Sequence, residues 1–183
     1  IDEAEALRRL DALDPARLDE TRFADDLAPH AVGLGAAPGV AVGRIACSSA
    51  AAERAARRGD PVILVRPDTS TADVAGFAVA AGILTATGGR TAHAALVARQ
   101  MGRPCVVGCA ALTVDETSAA IRLGAASARE GDWLSIDGDA GTARLGRREI
   151  RRTRPDADLA TWASWRERNR ATAHGRRPEP IIE

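Results

Sequence analysis

Lysine is absent: all 25 basic residues are arginine. The chain therefore has no Schiff-base lysine and no phosphate-loop lysine. An excess of charge is missing too. Twenty-five acidic residues balance the arginines, for a net charge of +0. That balance argues against a nucleic-acid partner, because such domains carry a basic surplus. No apolar run approaches 18 residues and no signal-peptide pattern appears. The expectation is a soluble, cytoplasmic protein with no membrane partner. Cysteine is sparse and odd in number: Cys47, Cys105 and Cys109. With no framework spacing, this set fits a reducing compartment. Cys105 and Cys109 border an apolar strand and read as small buried hydrophobes. His30 and His174 show no ligand spacing. Asp132, Asp137 and Asp139 read as turn formers, so no metal site is expected.

What is present is a globular composition, 45% hydrophobic and 27% charged over 183 residues. That suits one domain with flanking segments. The first residue is Ile1 rather than Met, as expected of a piece of a longer protein. Residues 1–32 carry Leu7, Leu10, Leu13, Leu18, Phe23 and Leu27 at helical spacing, which predicts short N-terminal linker helices. From Gly33 to Gly146 the texture is that of strands and helices punctuated by glycine. Strands are predicted at Val40–Cys47, Pro61–Val65, Ile83–Thr85, Cys105–Val107, Ile121–Leu123, Trp133–Asp137 and Ala143–Leu145. Helices are predicted after Ser48 or Ser49, after the capping-box spacing Ser70 to Asp73, and from His93 to Met101. Residues 147–183 turn polar and basic, with a helix over Asp158–Ala173 that carries Trp162 and Trp165, then a tail.

Chemistry concentrates between Thr85 and Gly108, TATGGRTAHAALVARQMGRPCVVG. A strand ends in the pair Gly88–Gly89, and a helix begins with His93 in its first turn. The glycines permit positive φ and the close approach of another body. The first N–H groups of a helix have no partner within it, and with the helix dipole they favour an anion there. Neutral imidazole is nucleophilic, and a phosphate on its ring would meet those same donors. Thr91 reads as the N-cap that aims His93. Arg90 and Arg99 are candidate charges for phosphate oxygens. Against this stands the plainer reading of His93 as a packed helix histidine, and of Arg90 and Arg99 as solvated surface.

The segment resembles the signature of the phosphoenolpyruvate-utilising enzymes, roughly T-x-x-G-G-x-T-S-H-A-A-x-x-A-R-x-x-G-x-P-C-V-x-G. More of the chain resembles the pyruvate phosphate dikinase family in particular. GLGAAPGVAVG from Gly33, VILVRPDTS from Val62 and EGDWLSIDG from Glu130 are similar to its entry, second and closing units. The resemblance implies an α/β fold, the swivelling β/β/α phosphohistidine domain at 33–146 with flanking linker helices. It implies that His93 is phosphorylated, with Gly88, Gly89, Arg90 and Ala92 forming the phosphate loop. It also implies that Thr91 matches a threonine modified by a regulatory kinase/phosphorylase. The usual serine before the histidine is Ala92 here, which removes a hydroxyl. The implied partners are an ATP-grasp domain and a PEP/pyruvate barrel. Magnesium and ATP or PEP would bind on those domains, and none on this one. The chain is too short for a barrel of about 250 residues, so it is not expected to turn over substrates alone. The alternatives are a carrier of PEP synthase or of another PEP-dependent phosphotransferase, or a non-catalytic regulatory module of the same fold.

Overall fold

The computed structural model describes residues 20–174 together with Glu5; over 169–174 only the backbone is described. The linker helices expected ahead of residue 20 and the tail beyond 174 lie outside the described residues. The chain divides into two compact units, one comprising 1–20 with 152–183, the other Thr21–Arg151.

In chain order the strands are β1 (Glu20–Phe23), β2 (Ala31–Val32), β3 (Leu34–Ala37), β4 (Val40–Ala46), β5 (Val62–Arg66), β6 (Gly82–Thr85) and β7 (Cys105–Val107). They continue with β8 (Leu112–Asp115), β9 (Ala120–Leu123), β10 (Ala126–Arg129), β11 (Trp133–Asp137), β12 (Thr142–Leu145) and β13 (Ile150–Thr153). The helices are α1 (Ser49–Arg57), α2 (Val74–Val79), α3 (His93–Gln100) and α4 (Asp156–His174), and a 3-10 turn at Thr71–Asp73 leads into α2.

An eight-stranded sheet has the order β2-β12-β11-β4-β5-β6-β7-β3. Its middle, β4-β5-β6-β7, is parallel, with antiparallel strands on both flanks. A second, antiparallel sheet has the order β10-β9-β8. β5 shows why the layers form. Val62 and Leu64 join one buried cluster with Ala52, Ala55, Phe77, Ala95 and Ala98 of the helices. Ile63 and Val65 join another with Leu112, Ile121 and Leu123 of the small sheet. Alternate residues of a strand point to opposite faces, so a continuous apolar run is what a strand covered on both faces requires. The fold is therefore the expected mixed α/β arrangement of small sheet, large sheet and helices.

Helices follow β4, β5 and β6 at the carboxyl end of the parallel strands. Serine caps the start of α1 and the 3-10 turn that leads into α2, while α2 itself begins after Asp73 with no side-chain cap. Ser48 Oγ accepts from the Ala51 N–H at 3.2 Å. Ser70 Oγ accepts from the Ala72 N–H at 3.2 Å, while Asp73 Oδ2 accepts from the Ser70 N–H at 3.0 Å, completing a capping box. The α2 helix stops at Val79, because Gly82 is already the first residue of β6.

Between residues 20 and 32 the expectation of helix fails. Residues 20–23 are a strand and 24–30 are irregular. Long-range contacts override the local pattern here. The Arg148 guanidinium stacks 3.9 Å from the Phe23 ring, and its Nε donates to Asp25 Oδ1 at 2.8 Å. That bond holds the Asp25 carboxyl below its usual range. In the other unit, α4 begins with Asp156 and Asp158 in its first turn, where carboxylates suit the positive helix end. Arg166 lies 4.9 Å over the Trp162 ring.

Candidate functional site

The site is the loop between β6 and α3, and it is fastened in stages. At its root, Thr85 is buried and its hydroxyl donates to the Thr87 carbonyl at 2.6 Å. Thr87 in turn donates to the Pro67 carbonyl from its N–H at 3.0 Å and its hydroxyl at 3.1 Å. On the other side, the Gly108 N–H donates to the Thr87 carbonyl at 3.1 Å.

Gly88 has φ +102, and a Cβ built there would come within 3.2 Å of the Ala92 Cβ. Gly108 has φ +62, and its Cβ would fall 2.6 Å from the Gly88 carbonyl oxygen. Two glycines thus lie back to back, one on the loop and one after β7. Gly89 keeps negative φ, and a Cβ there would meet nothing within 4 Å; it faces open space. The Ala92 N–H then closes a turn on the Gly89 carbonyl at 2.9 Å.

The α3 helix starts at His93 with Ala92 as N-cap, and no side chain caps it. Thr91, expected in that role, is exposed one residue too early. The cap position falls instead on a methyl group. The first intrahelical bond runs from the Leu96 N–H to the Ala92 carbonyl at 3.1 Å. The N–H groups of His93, Ala94 and Ala95 therefore precede the helical ladder.

His93 packs edge-on to Phe77, with ring centroids 6.2 Å apart and planes at 88°. Its Nε2 is buried without a hydrogen-bond partner. An unpaired buried nitrogen costs stability, so it calls for an explanation beyond packing, such as a catalytic role.

The structure brings Gly88, Gly89, Arg90, Thr91, Ala92 and His93 together in one short loop. Arg90 is exposed. Arg99 is occupied elsewhere than expected: Nη1 donates to the Ala36 carbonyl and Nη2 to the Arg90 carbonyl, both at 2.7 Å. Sequence reasoning missed Phe77 as a support, and gave Thr85 and Gly108 no role beyond marking the two ends of the signature.

The cysteines behave as expected. Burial pushes the Cys47 thiol up to about 11 and Cys105 up to about 12, and raises Cys109 as well. All three are buried and unpaired with one another, and a thiol in that state is a poor nucleophile. His30 is structural: its Nδ1 accepts from the Leu145 N–H at 3.2 Å. Among the described residues no group of acidic, histidine or cysteine side chains could hold a metal ion.

Two clefts lie elsewhere. One of about 550 Å³ is lined by residues that include Trp133 and Arg147. One of about 300 Å³ is lined by residues that include Arg54 and Glu130. Neither includes a residue of the His93 loop.

Residues 59–141, which contain the whole loop, match the family described as PEP-utilising enzyme, mobile domain. The chain belongs to the PEP-utilising enzyme mobile domains. Its similarity extends beyond the matched stretch. Pyruvate, phosphate dikinase 2 of Zea mays is 44% identical over 74% of this chain. The chloroplastic pyruvate, phosphate dikinase of Flaveria trinervia is 40% identical over 93% of it. The chloroplastic pyruvate, phosphate dikinase 1 of Arabidopsis thaliana is 41% identical over 83%. This chain spans only 15%, 18% and 16% of the length of those three relatives. Among solved structures, a solution structure of Enzyme I aligns at 25% identity over 58% of this chain and 38% of that one, with a TM-score of 0.35.

Proposed function

We propose that this mobile domain is a phosphohistidine carrier of pyruvate phosphate dikinase type, with His93 as the residue that bears the phosphoryl group. One observation carries the reading. Within the matched family segment, His93 opens an uncapped helix and keeps a buried ring nitrogen without a partner.

In the transfer, a ring nitrogen of neutral His93 attacks phosphorus as the bond from phosphorus to the enol oxygen of PEP breaks. The enolate leaves and takes a proton to become pyruvate. The N–H groups ahead of the helical ladder meet the negative oxygens of the new phosphoramidate. In the ATP-driven direction, His93 takes one phosphoryl group of ATP on an ATP-grasp domain, while phosphate takes the other to give pyrophosphate, leaving AMP. On the barrel the enolate oxygen of pyruvate then attacks that phosphorus, the bond to the ring nitrogen breaks, and PEP and neutral His93 result. The net reaction is ATP, pyruvate and phosphate to AMP, PEP and pyrophosphate. Nucleotide, PEP and magnesium bind on the partner domains. This chain supplies the carrier and is not competent alone.

Thr91 is exposed and takes no part in the cap. That leaves its hydroxyl available to a regulatory kinase/phosphorylase. A phosphate on Thr91 would put negative charge two residues from the acceptor and repel the incoming group. Cytoplasmic location belongs to the same proposal.

The test is intact mass after incubation with PEP, Mg²⁺ and an active dikinase barrel domain. One phosphoryl group should appear, lost in acid, stable in base and absent from His93→Ala. An unmodified wild-type chain beside an active barrel, repeated with its natural neighbour domain, contradicts the reading.

A further inference from the structure

The start of α3 lacks the hydroxyl cap found at α1 and at the 3-10 turn that leads into α2. Ser48 and Ser70 each cap with a hydroxyl. Ala92 has none. Yet the residues before His93 are not left loose, because Arg99 reaches back along α3. Its Nη2 takes the Arg90 carbonyl and its Nη1 the Ala36 carbonyl, each at 2.7 Å. Ala36 is a buried residue of β3 at the edge of the eight-stranded sheet. One planar fork therefore ties the loop to its own helix and to the sheet.

We infer that Arg99 is a positioning residue that does the work of the missing N-cap, holding the Arg90–Ala92 turn and hence the aim of His93. Its link to catalysis rests on the reading of His93 as acceptor. The chemistry favours arginine specifically. A guanidinium presents two parallel donors in a rigid plane, whereas an ammonium is a point charge on a flexible stem. Hydrogen bonds from a charged donor are also the stronger kind. With both Nη atoms on carbonyl oxygens, Arg99 is engaged by the backbone rather than offered to a phosphate. A role in phosphate contact would need only positive charge, and lysine would keep that. A role as a fork would not survive lysine.

The Ala92 amide, bonded to the Gly89 carbonyl at 2.9 Å, is the probe. Amide hydrogen exchange is measured on the wild-type chain, Arg99→Ala, Arg99→Lys, and Arg99→Ala combined with Ala92→Ser. Exchange at Ala92 should rise on the order of tenfold in Arg99→Ala, the size expected for losing hydrogen bonds to a charged donor. The amides of β5 and β6 should be unchanged. Arg99→Lys should resemble Arg99→Ala. Adding Ala92→Ser should restore protection by about fivefold, because the hydroxyl supplies a cap. The initial rate of phosphoryl uptake from PEP and a barrel domain should fall and recover in parallel.

Unchanged Ala92 exchange in Arg99→Ala overturns the inference, as does Arg99→Lys behaving as wild type. Should the loop respond as stated while even the wild-type chain takes up no phosphoryl group, the reading of His93 fails and the hold of Arg99 on the loop stands.

Discussion

Three helices begin at one end of the parallel strands, and they begin differently. The α1 start is closed by Ser48, and the 3-10 turn that leads into α2 by Ser70, with Asp73 completing its capping box. Asp73 is itself buried and accepts from the Ser49 hydroxyl at 3.0 Å, with Arg66 Nε 3.3 Å away. At each of these starts, a serine oxygen takes one early N–H group, that of Ala51 at Ser48 and that of Ala72 at Ser70. The α3 start is left open, with a methyl at the cap and a histidine whose Nε2 has no partner. The contrast separates structural from chemical use of the same element. At α3 the loop is steadied from behind, by Gly108, Thr87 and Arg99.

The largest break in that contrast should come from Gly108→Ala. The added Cβ would lie 2.6 Å from the Gly88 carbonyl oxygen at φ +62. Left-handed backbone and steric overlap together should cost about 2–3 kcal/mol. Denaturant unfolding would read the loss of stability, and phosphoryl uptake should fall with it.

A smaller pair of changes exchanges the two kinds of start. Ser70→Ala should destabilise by about 1 kcal/mol and leave uptake at His93 nearly unchanged. Ala92→Ser should stabilise by a similar amount. Both are read as shifts of the denaturation midpoint at constant slope. Loss of uptake in Ser70→Ala would erase the distinction between the starts.

The smallest effect at neutral pH concerns the buried thiols. Their folded-state values lie above the ordinary 9.0, at about 11 for Cys47 and about 12 for Cys105. Raised values mean that folding favours the neutral thiol. The associated stability is complete below pH 9 and is lost as pH climbs through 9 toward 11 and 12. Stability measured from pH 8 to 11 should fall accordingly. Thiol labelling of the folded chain at pH 8 should be slow beside that of the unfolded chain.

Much of this was legible in the sequence, for physical reasons. Val62–Val65 is apolar on both faces of a strand, which marks a covered sheet. Ser48 and the Ser70/Asp73 spacing signalled helix starts by chemistry that acts within a few residues. The histidine loop was legible because glycine, histidine and helix start follow one another in the chain.

What escaped depends on distant partners. β10 reads ASAR, with little strand preference of its own, and becomes a strand by pairing Ala126 with Leu123 across a turn where Gly124 has φ +63. β8 is short and half exposed, and is held by β9. Phe23 looked helical until Arg148, far along the chain, stacked on it. Thr91 has the right side chain for a cap but stands one residue early, a boundary shift that local pattern does not resolve. Arg99 looked like a phosphate ligand because its two carbonyl partners carry no sequence signal at all.

The central claim is that His93 bears the phosphoryl group, and localising that group tests it most directly. The chain would be charged with PEP, Mg²⁺ and an active barrel domain, digested at alkaline pH and fragmented by electron transfer. The account predicts one phosphoryl mass on His93 of the peptide spanning Thr91–Arg99, with Thr91 unmodified. A phosphoryl group on any other residue, or none while the barrel turns over its own substrate and the natural neighbour domain fares no better, would contradict it.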